Sequence, residues 1–343
     1  MGEGYNALVL YAAVSDQTVF ITAEAGSPAP GWRLGGLTVL ERRLLEAQRR
    51  GVARAIVACE GEVPERPWTI AIDRAPAGAE APAGAQVVRA DEVAGVKLDS
   101  KRALGRAEWA HMKSLPKSFQ GPVDALFNRH VSLRITRVLA RTPITPNHVT
   151  ATALLIGLVA AALLPLRTYP TLAIAGVLME LQSIVDSCDG ELARLRFQFS
   201  KAGAWLDNVA DDITDAALMV GLGLAAGGAL WMWLGIAAGI ARVFTQLVLY
   251  LNVRRLGGDF LRFRWWFEAE VASIDAVYDL RSPLTWVRSL GRRDVYLFLW
   301  GVLCVAALPQ VAAGYALAIS AVYTAMTVIH LAIGSPAAPR SGA

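Results

Sequence analysis

Beyond residue 147 the chain alternates long apolar runs with short polar ones. Six runs approach twenty residues, near 148 to 167, 171 to 195, 203 to 226, 229 to 252, 292 to 309 and 311 to 334. About twenty residues of helix cross the roughly 30 Å of bilayer hydrocarbon, where an open sheet edge cannot satisfy its own backbone. The pattern predicts an α-helical integral membrane protein with six transmembrane helices. Composition agrees, since 55% of residues are hydrophobic and only 18% charged, a balance unlike that of an ordinary soluble enzyme. Lys and Arg gather before the first run, in 196 to 202, in 253 to 291 and in the tail "APRSGA", while the alternate loops offer little beyond Arg167. The positive-inside preference then places both termini in the cytoplasm and the chain in the cytoplasmic membrane.

The remainder divides in two. Over residues 1–115, "YNALVLYAAV", "ARAIVACEG" and "WTIAIDRA" read as strands, and "LTVLERRLLEAQRRG" reads as a helix closed by glycine. This predicts a small N-terminal α/β cytoplasmic domain. Residues 116–147 form a juxtamembrane segment whose stretch 121–141 sets Val123, Leu126, Phe127, Leu133 and Val138 among cations, the pattern of an amphipathic helix on a membrane surface. Residues 148–335 hold the six-helix domain, with membrane lipids as partners. The cysteines Cys59, Cys188 and Cys304 are scattered, so neither a disulfide framework nor a Cys/His metal site is expected. No basic stretch has a nucleic-acid signature, and "MGEGYNALVLYAAVSDQ" lacks the basic region of a cleaved secretory leader.

Against this background "IVDSCDGELARLRFQFSKAGAWLDNVADDITD" stands out, with six aspartates and a glutamate between membrane-grade segments. A charge at the bilayer centre costs about 2.5–3.5 kcal/mol even on lenient scales, so such residues face a cavity or a partner. Helical spacing puts Asp186, Asp189, Gly190 and Ala193 on one stripe of the second run, and Asp207, Asp211 and Asp215 on one stripe of the third. A short turn joins the two runs as antiparallel neighbours, so the stripes converge. Carboxylates 4 Å apart repel by roughly 4 kcal/mol per pair at an effective dielectric near 20, unless one is protonated or a cation sits among them. Oxygen donors select a hard cation, Mg²⁺ or Mn²⁺, and Mg²⁺ commonly completes its shell with substrate phosphates. A diphosphate substrate follows.

The order Asp186-x-x-Asp189-Gly190-x-x-Ala193-Arg194, eight residues, then Gly203-x-x-x-Asp207-x-x-x-Asp211 resembles the signature of the CDP-alcohol phosphotransferases, over about residues 115 to 335. The resemblance implies transfer of a phosphoalcohol group from a CDP-alcohol donor to an acceptor hydroxyl, with release of CMP, and it suggests a homodimer. It implies that Asp186, Asp189, Asp207 and Asp211 hold the metal, and that Asp211 is the catalytic base on the acceptor. Gly190, Ala193, Arg194 and Gly203 would border the CDP moiety, the glycines by leaving room and Arg194 by binding diphosphate oxygens. "TPITPNHVT" resembles the family's Thr-Pro-Asn segment, which brings Asn147 and Thr150 toward the nucleotide.

Two arginines are candidates for a phosphorylated acceptor: Arg242, about ten residues from the cytoplasmic end of the fourth run, and Arg137 on the surface helix. For Arg242 a structural pairing with Glu180 or Asp215 is the competing reading. Asp215 would support Arg or Thr neighbours, and Asp212 would be solvated or interhelical. "RLGGLTVLERRLLEAQRRGVARAIVACEG" is similar to sugar-nucleotide nucleotidyltransferases, and the junction "SLPKSFQGPVDALFNRHVSLRITRVLARTPITPNHVT" to fused inositol-1-phosphate cytidylyltransferase and di-myo-inositol phosphate phosphate synthases. No Gly-x-Gly-Thr-Arg loop follows the first expected strand, so the N-terminal domain reads as degenerate and catalytically silent. An intramembrane aspartate-rich prenyltransferase ("DDITD") and a non-catalytic transporter or scaffold are the alternatives. The first expects a second, distant aspartate motif, and the second expects ionisable residues spread over several spans.

Overall fold

The computed structural model describes residues 15–115, 121–255 and 289–333. The expected strand at 5–14, most of the basic stretch 253 to 291, and the basic tail lie outside these residues. The chain divides into two compact units. One is drawn from Met1–Phe119, Leu133–Thr145 and Gly190–Phe199, the other from Gln120–Ser132, Pro146–Asp189 and Ser200–Ala343.

The first unit contains a parallel sheet of four strands, β1 (Ser15–Thr22), β4 (Val52–Ala58), β5 (Ala71–Arg74) and β6 (Gln86–Arg89), in the order β5-β4-β1-β6. Strand β1 was not expected from the sequence. Its "SDQTVFIT" begins with four polar residues that mask the run Val19 to Ile21, which is buried at 2% exposure or less. Parallel strands need a crossover, and helix α1 (Val39–Arg49) supplies it between β1 and β4. A capping box starts α1, Thr38 accepting from the Glu41 amide while Glu41 accepts from the Thr38 amide. Its Leu40, Leu44 and Ala47 face Val19, Ile21, Val52, Ala55 and Val57 in one core. Two short hairpins, β2 (Arg33–Leu34) with β3 (Leu37–Thr38) and β7 (Glu92–Val93) with β8 (Val96–Lys97), flank the sheet, and helix α2 (Lys101–Ser114) follows. The turn between β2 and β3 is Gly35–Gly36, with φ of +59° and +87°, values that a residue with a Cβ rarely adopts.

The surface segment is helical, though not as one uniform helix. A π-helical turn spans Asp124–Asn128 before α3 (Arg129–Leu139). The wider turn brings Asn128 inward, where its Nδ2 donates to Asp124 Oδ1 at 3.3 Å and Ser183 Oγ at 3.1 Å. Leu126, Phe127 and Val138 stay exposed, as an amphipathic helix requires.

Among the described residues six helices overlap the six apolar runs: α4 (Pro146–Leu163), α5 (Tyr169–Arg196), α6 (Lys201–Ala226), α7 (Gly228–Arg255), α8 (Arg293–Val305) and α9 (Pro309–Ile333). Among the described residues four segments, Pro146–Leu166, Tyr169–Arg196, Gly228–Arg254 and Pro309–Ile333, are long and apolar enough to cross a membrane. Helix α6 has the length but carries Lys201 and four aspartates, and the described α8 has 13 residues. Their shared core includes Leu164, Met179, Leu218, Leu222, Tyr296 and Trp300.

Glycines set the closest helix approaches. A Cβ on Gly223 of α6 would stand 2.6 Å from the Gly235 Cα of α7, and one on Gly176 of α5 would stand 2.4 Å from the Gly301 carbonyl of α8. Both contacts bring backbone against backbone, as small residues allow in membrane helices.

Candidate functional site

Local chemistry shapes the acidic hairpin. Helix α5 ends where Phe197 takes φ +55° and the Gln198 amide donates to the Ala193 carbonyl at 2.9 Å. Ser200 then caps α6 by accepting from the Gly203 amide at 2.8 Å. A Cβ on Gly203 would lie 2.8 Å from Ser200 Oγ and 3.1 Å from Asn147 Oδ1. Glycine at 203 thus admits both the cap and the approach of Asn147 from the start of α4.

Asp186 on α5 and Asp207 and Asp211 on α6 each present a carboxylate oxygen within 4.8 Å of the other two. The i, i+4 spacing of Asp207 and Asp211 puts both on one face of α6, the face turned to Asp186. Asp189, one turn along from Asp186, is buried and accepts a short hydrogen bond from Thr150 Oγ1 of α4. Three of the four expected metal-binding aspartates therefore converge, while the carboxylate of the fourth is held by Thr150. Three carboxylates in a partly buried space give an all-oxygen, hard donor set, which fits a divalent cation such as Mg²⁺ or Mn²⁺.

The sequence reading missed Arg293. Its Nη1 lies 3.0 Å from Asp186 Oδ2 and 2.8 Å from Asp211 Oδ1, and its Nε lies 3.2 Å from Asp215 Oδ1. A signal was available, because Arg292 and Arg293 open α8 at the end where the helix dipole disfavours cations. Cations there need carboxylate partners from elsewhere.

A second layer supports the first. Asp215 has no exposed surface and accepts from Arg242 Nη2 at 2.8 Å and from the Tyr296 hydroxyl. Asp212 accepts from Arg242 Nη2 at 3.0 Å, from Gln246 Nε2 and from the Tyr250 hydroxyl. Arg242, Gln246 and Tyr250 recur every four residues along α7, so one face of that helix serves Asp212, and its Arg242 reaches Asp215 as well. The pairing with Asp215 weighed for Arg242 is the arrangement observed, and Asp212 is interhelical.

The remaining candidates are placed as follows. On α5, Arg194 folds over Gly190, where a Cβ would stand 3.1 Å from Arg194 Nη1. Ala193 is partly buried on the same helix. Cys188, between two of the aspartates, is fully buried with Sγ 3.3 Å from the Ile184 carbonyl. Arg137 of α3 donates from Nε to Glu108 Oε2 at 2.6 Å.

Comparison with known proteins agrees with this geometry. The chain is 30% identical over 167 residues to the bifunctional IPC transferase and DIPP synthase of Thermococcus kodakarensis, covering 48% of this chain and 37% of that protein. It is 38% identical over 145 residues to the protein of the same name from Rubrobacter xylanophilus, covering 42% of this chain and 31% of that one. It is 35% identical over 100 residues to the archaetidylinositol phosphate synthase of Pyrococcus horikoshii, covering 29% and 50%. The chain thus spans half or less of the length of each of these relatives. The family model described as CDP-alcohol phosphatidyltransferase matches residues 143–329, which include all four aspartates of the signature. With more than half of its length matched and the acidic pair of helices in place, the chain belongs to the CDP-alcohol phosphatidyltransferase family.

Proposed function

We infer that the protein transfers a phosphoalcohol group from a CDP-alcohol to an acceptor hydroxyl and releases CMP. The observation that carries this reading is the convergence of Asp186, Asp207 and Asp211 from two helices onto one point. In the reaction the acceptor oxygen attacks the phosphorus that bears the donor alcohol. The bond from that phosphorus to the oxygen bridging it to CMP breaks, and the hydroxyl proton passes to Asp211 acting as general base. Asp186, Asp207 and Asp211, with Asp189 one turn away, would hold Mg²⁺ or Mn²⁺. A divalent ion there supplies charge stabilisation to the diphosphate.

Gly190, Ala193, Arg194, Gly203, Asn147 and Thr150 border the nucleotide in this reading. Arg242 is a positioning residue for Asp212 and Asp215, in preference to an acceptor ligand. The relatives' names support an inositol phosphate as the polar partner, in membrane phospholipid or inositol-phosphodiester synthesis. Residues 148–335 would form the catalytic domain of six membrane helices, with both termini cytoplasmic and the enzyme a homodimer. Residues 1–115 would be a nucleotidyltransferase-like domain without transferase chemistry of its own.

The test is CMP release by purified protein with Mg²⁺ or Mn²⁺, offering CDP-diacylglycerol and CDP-inositol separately with polar and lipid hydroxyl acceptors. Turnover with either donor, abolished by EDTA and by Asp211→Asn, is the expected outcome. Full turnover by Asp211→Asn would remove the base assignment, and silence with every donor and acceptor would count against the reaction.

A further inference from the structure

A cleft of about 740 Å³ lies within the first unit, walled by the Gly35–Gly36 turn, the first two turns of α2, the second half of α3 and the end of α5. Its cations are Arg33, Arg66, Lys101, Arg137, Arg141 and Arg196, and its one lining carboxylate is Glu108. Glu108 is buried and fully engaged. It accepts from Arg137 Nε at 2.6 Å, from Arg141 Nη2 at 3.1 Å and from the Gly35 amide at 3.3 Å. Gly105 of α2 leaves the space in which Arg137 lies, a Cβ there falling 3.6 Å from its Nη2.

The charges do not balance. Arg66 pairs with Glu41 at 3.1 Å, outside the lining. Arg196 is spent on the carbonyls of Ile144, Leu139 and Thr142, which align it without cancelling its charge. One carboxylate serves both Arg137 and Arg141. Among the described residues, Arg33 and Lys101 have no carboxylate partner, and both are exposed at the mouth of the cleft. A concave surface with this surplus focuses positive potential inward, and guanidinium forks match the oxygens of phosphate. Among the described residues the lining contains no aromatic side chain on which a base could stack, so charge is the recognised feature. The volume falls in the range of about 300–1,000 Å³ typical of small-molecule sites.

We propose that this cleft binds an anionic phosphate group, with Arg33, Lys101 and Arg141 contacting its oxygens. The phosphate belongs either to a soluble ester or to an anionic lipid headgroup presented beside α3. The site uses none of the aspartates proposed for the transfer reaction.

The test uses the full chain in phosphatidylcholine nanodiscs with EDTA, which removes metal-dependent binding at the aspartates. Inorganic pyrophosphate is titrated by calorimetry into wild type and into the double variant Arg33→Ala, Lys101→Ala. Neither residue has an ion pair to lose, so the variant keeps its thermal midpoint. In parallel, native mass spectrometry measures phosphatidylglycerol retained by each protein after release from mixed nanodiscs. Loss of two charge-assisted contacts should weaken pyrophosphate binding by roughly tenfold or more, and Arg33→Lys with Lys101→Arg should restore it. That outcome assigns a soluble ester. Retention of phosphatidylglycerol that falls in the Ala variant, without pyrophosphate binding, assigns a lipid headgroup. Equal pyrophosphate binding and equal lipid retention by both proteins, or neither ligand bound by wild type, overturns the proposal.

Discussion

Arg293 Nη1 stands 2.8 Å from Asp211 Oδ1, so the carboxylate proposed as base is held by a guanidinium from a helix more than 80 positions further along the chain. Because Arg293 also reaches Asp186 and Asp215, its removal leaves three carboxylates without their shared counter-charge. Arg293→Ala should lower kcat/KM for CMP release by about 100-fold or more, equivalent to roughly 2.7 kcal/mol of transition-state stabilisation. Arg293→Lys should recover only part of it, because an ammonium cannot bridge the same oxygens as a planar fork. Wild-type rates in Arg293→Ala would separate this arginine from the site.

Arg242 gives a different signature. It is a mostly buried cation shared by Asp212 and Asp215, and breaking such a pair by deleting one partner costs about 3–5 kcal/mol. Arg242→Ala should therefore lower the thermal midpoint in detergent by several degrees. A variant that keeps its midpoint but raises KM for the acceptor would instead identify Arg242 as a substrate ligand.

Thr150 tests the role of Asp189. Thr150→Val preserves shape but removes the hydroxyl that donates to Asp189. The expected result is a rise of about tenfold in the Mg²⁺ concentration needed for half-maximal activity, the usual scale when a residue supporting a metal ligand is lost. An unchanged metal requirement would detach Asp189 from metal binding.

His111 of α2 makes the first unit sensitive to acid. Burial, with Arg42 beside it, pushes the imidazole down to about 3, and its Nε2 lies 3.0 Å from Arg42 Nη1. Because the folded value is below the unfolded one, the unfolded chain takes up the proton more readily. This contribution to stability is present above about pH 6.5 and is lost as pH falls toward 3, by at most about 1.4 kcal/mol per pH unit. Thermal midpoints should drop between pH 7 and pH 5, and His111→Gln should flatten that dependence. An identical slope in the variant would assign the acid sensitivity to other groups.

The parts of this structure that periodicity controls were readable beforehand. Asp207 and Asp211 share a face because they are four residues apart, and the turn from 197 to 200 is too short for anything but antiparallel neighbours. The capped helix from Val39 was equally visible in its spacing. What depends on distant partners was not. Nothing near Asp186 in sequence announces Arg293, and nothing near Asp212 announces Gln246 and Tyr250 as donors to that carboxylate. Strand β1 was hidden for another reason. Two of its pairings, with β4 and β6, bury an apolar centre whose polar flanks break the alternation expected of a strand.

The contact of Gly176 with Gly301 bears on how an ion could enter. Neither helix can slide past the other without driving a backbone carbonyl into its neighbour, so the height of Arg293 above Asp186 is fixed by the scaffold. A cation arriving among the carboxylates then competes, on that fixed scaffold, with a mostly buried guanidinium that Asp186, Asp211 and Asp215 hold together.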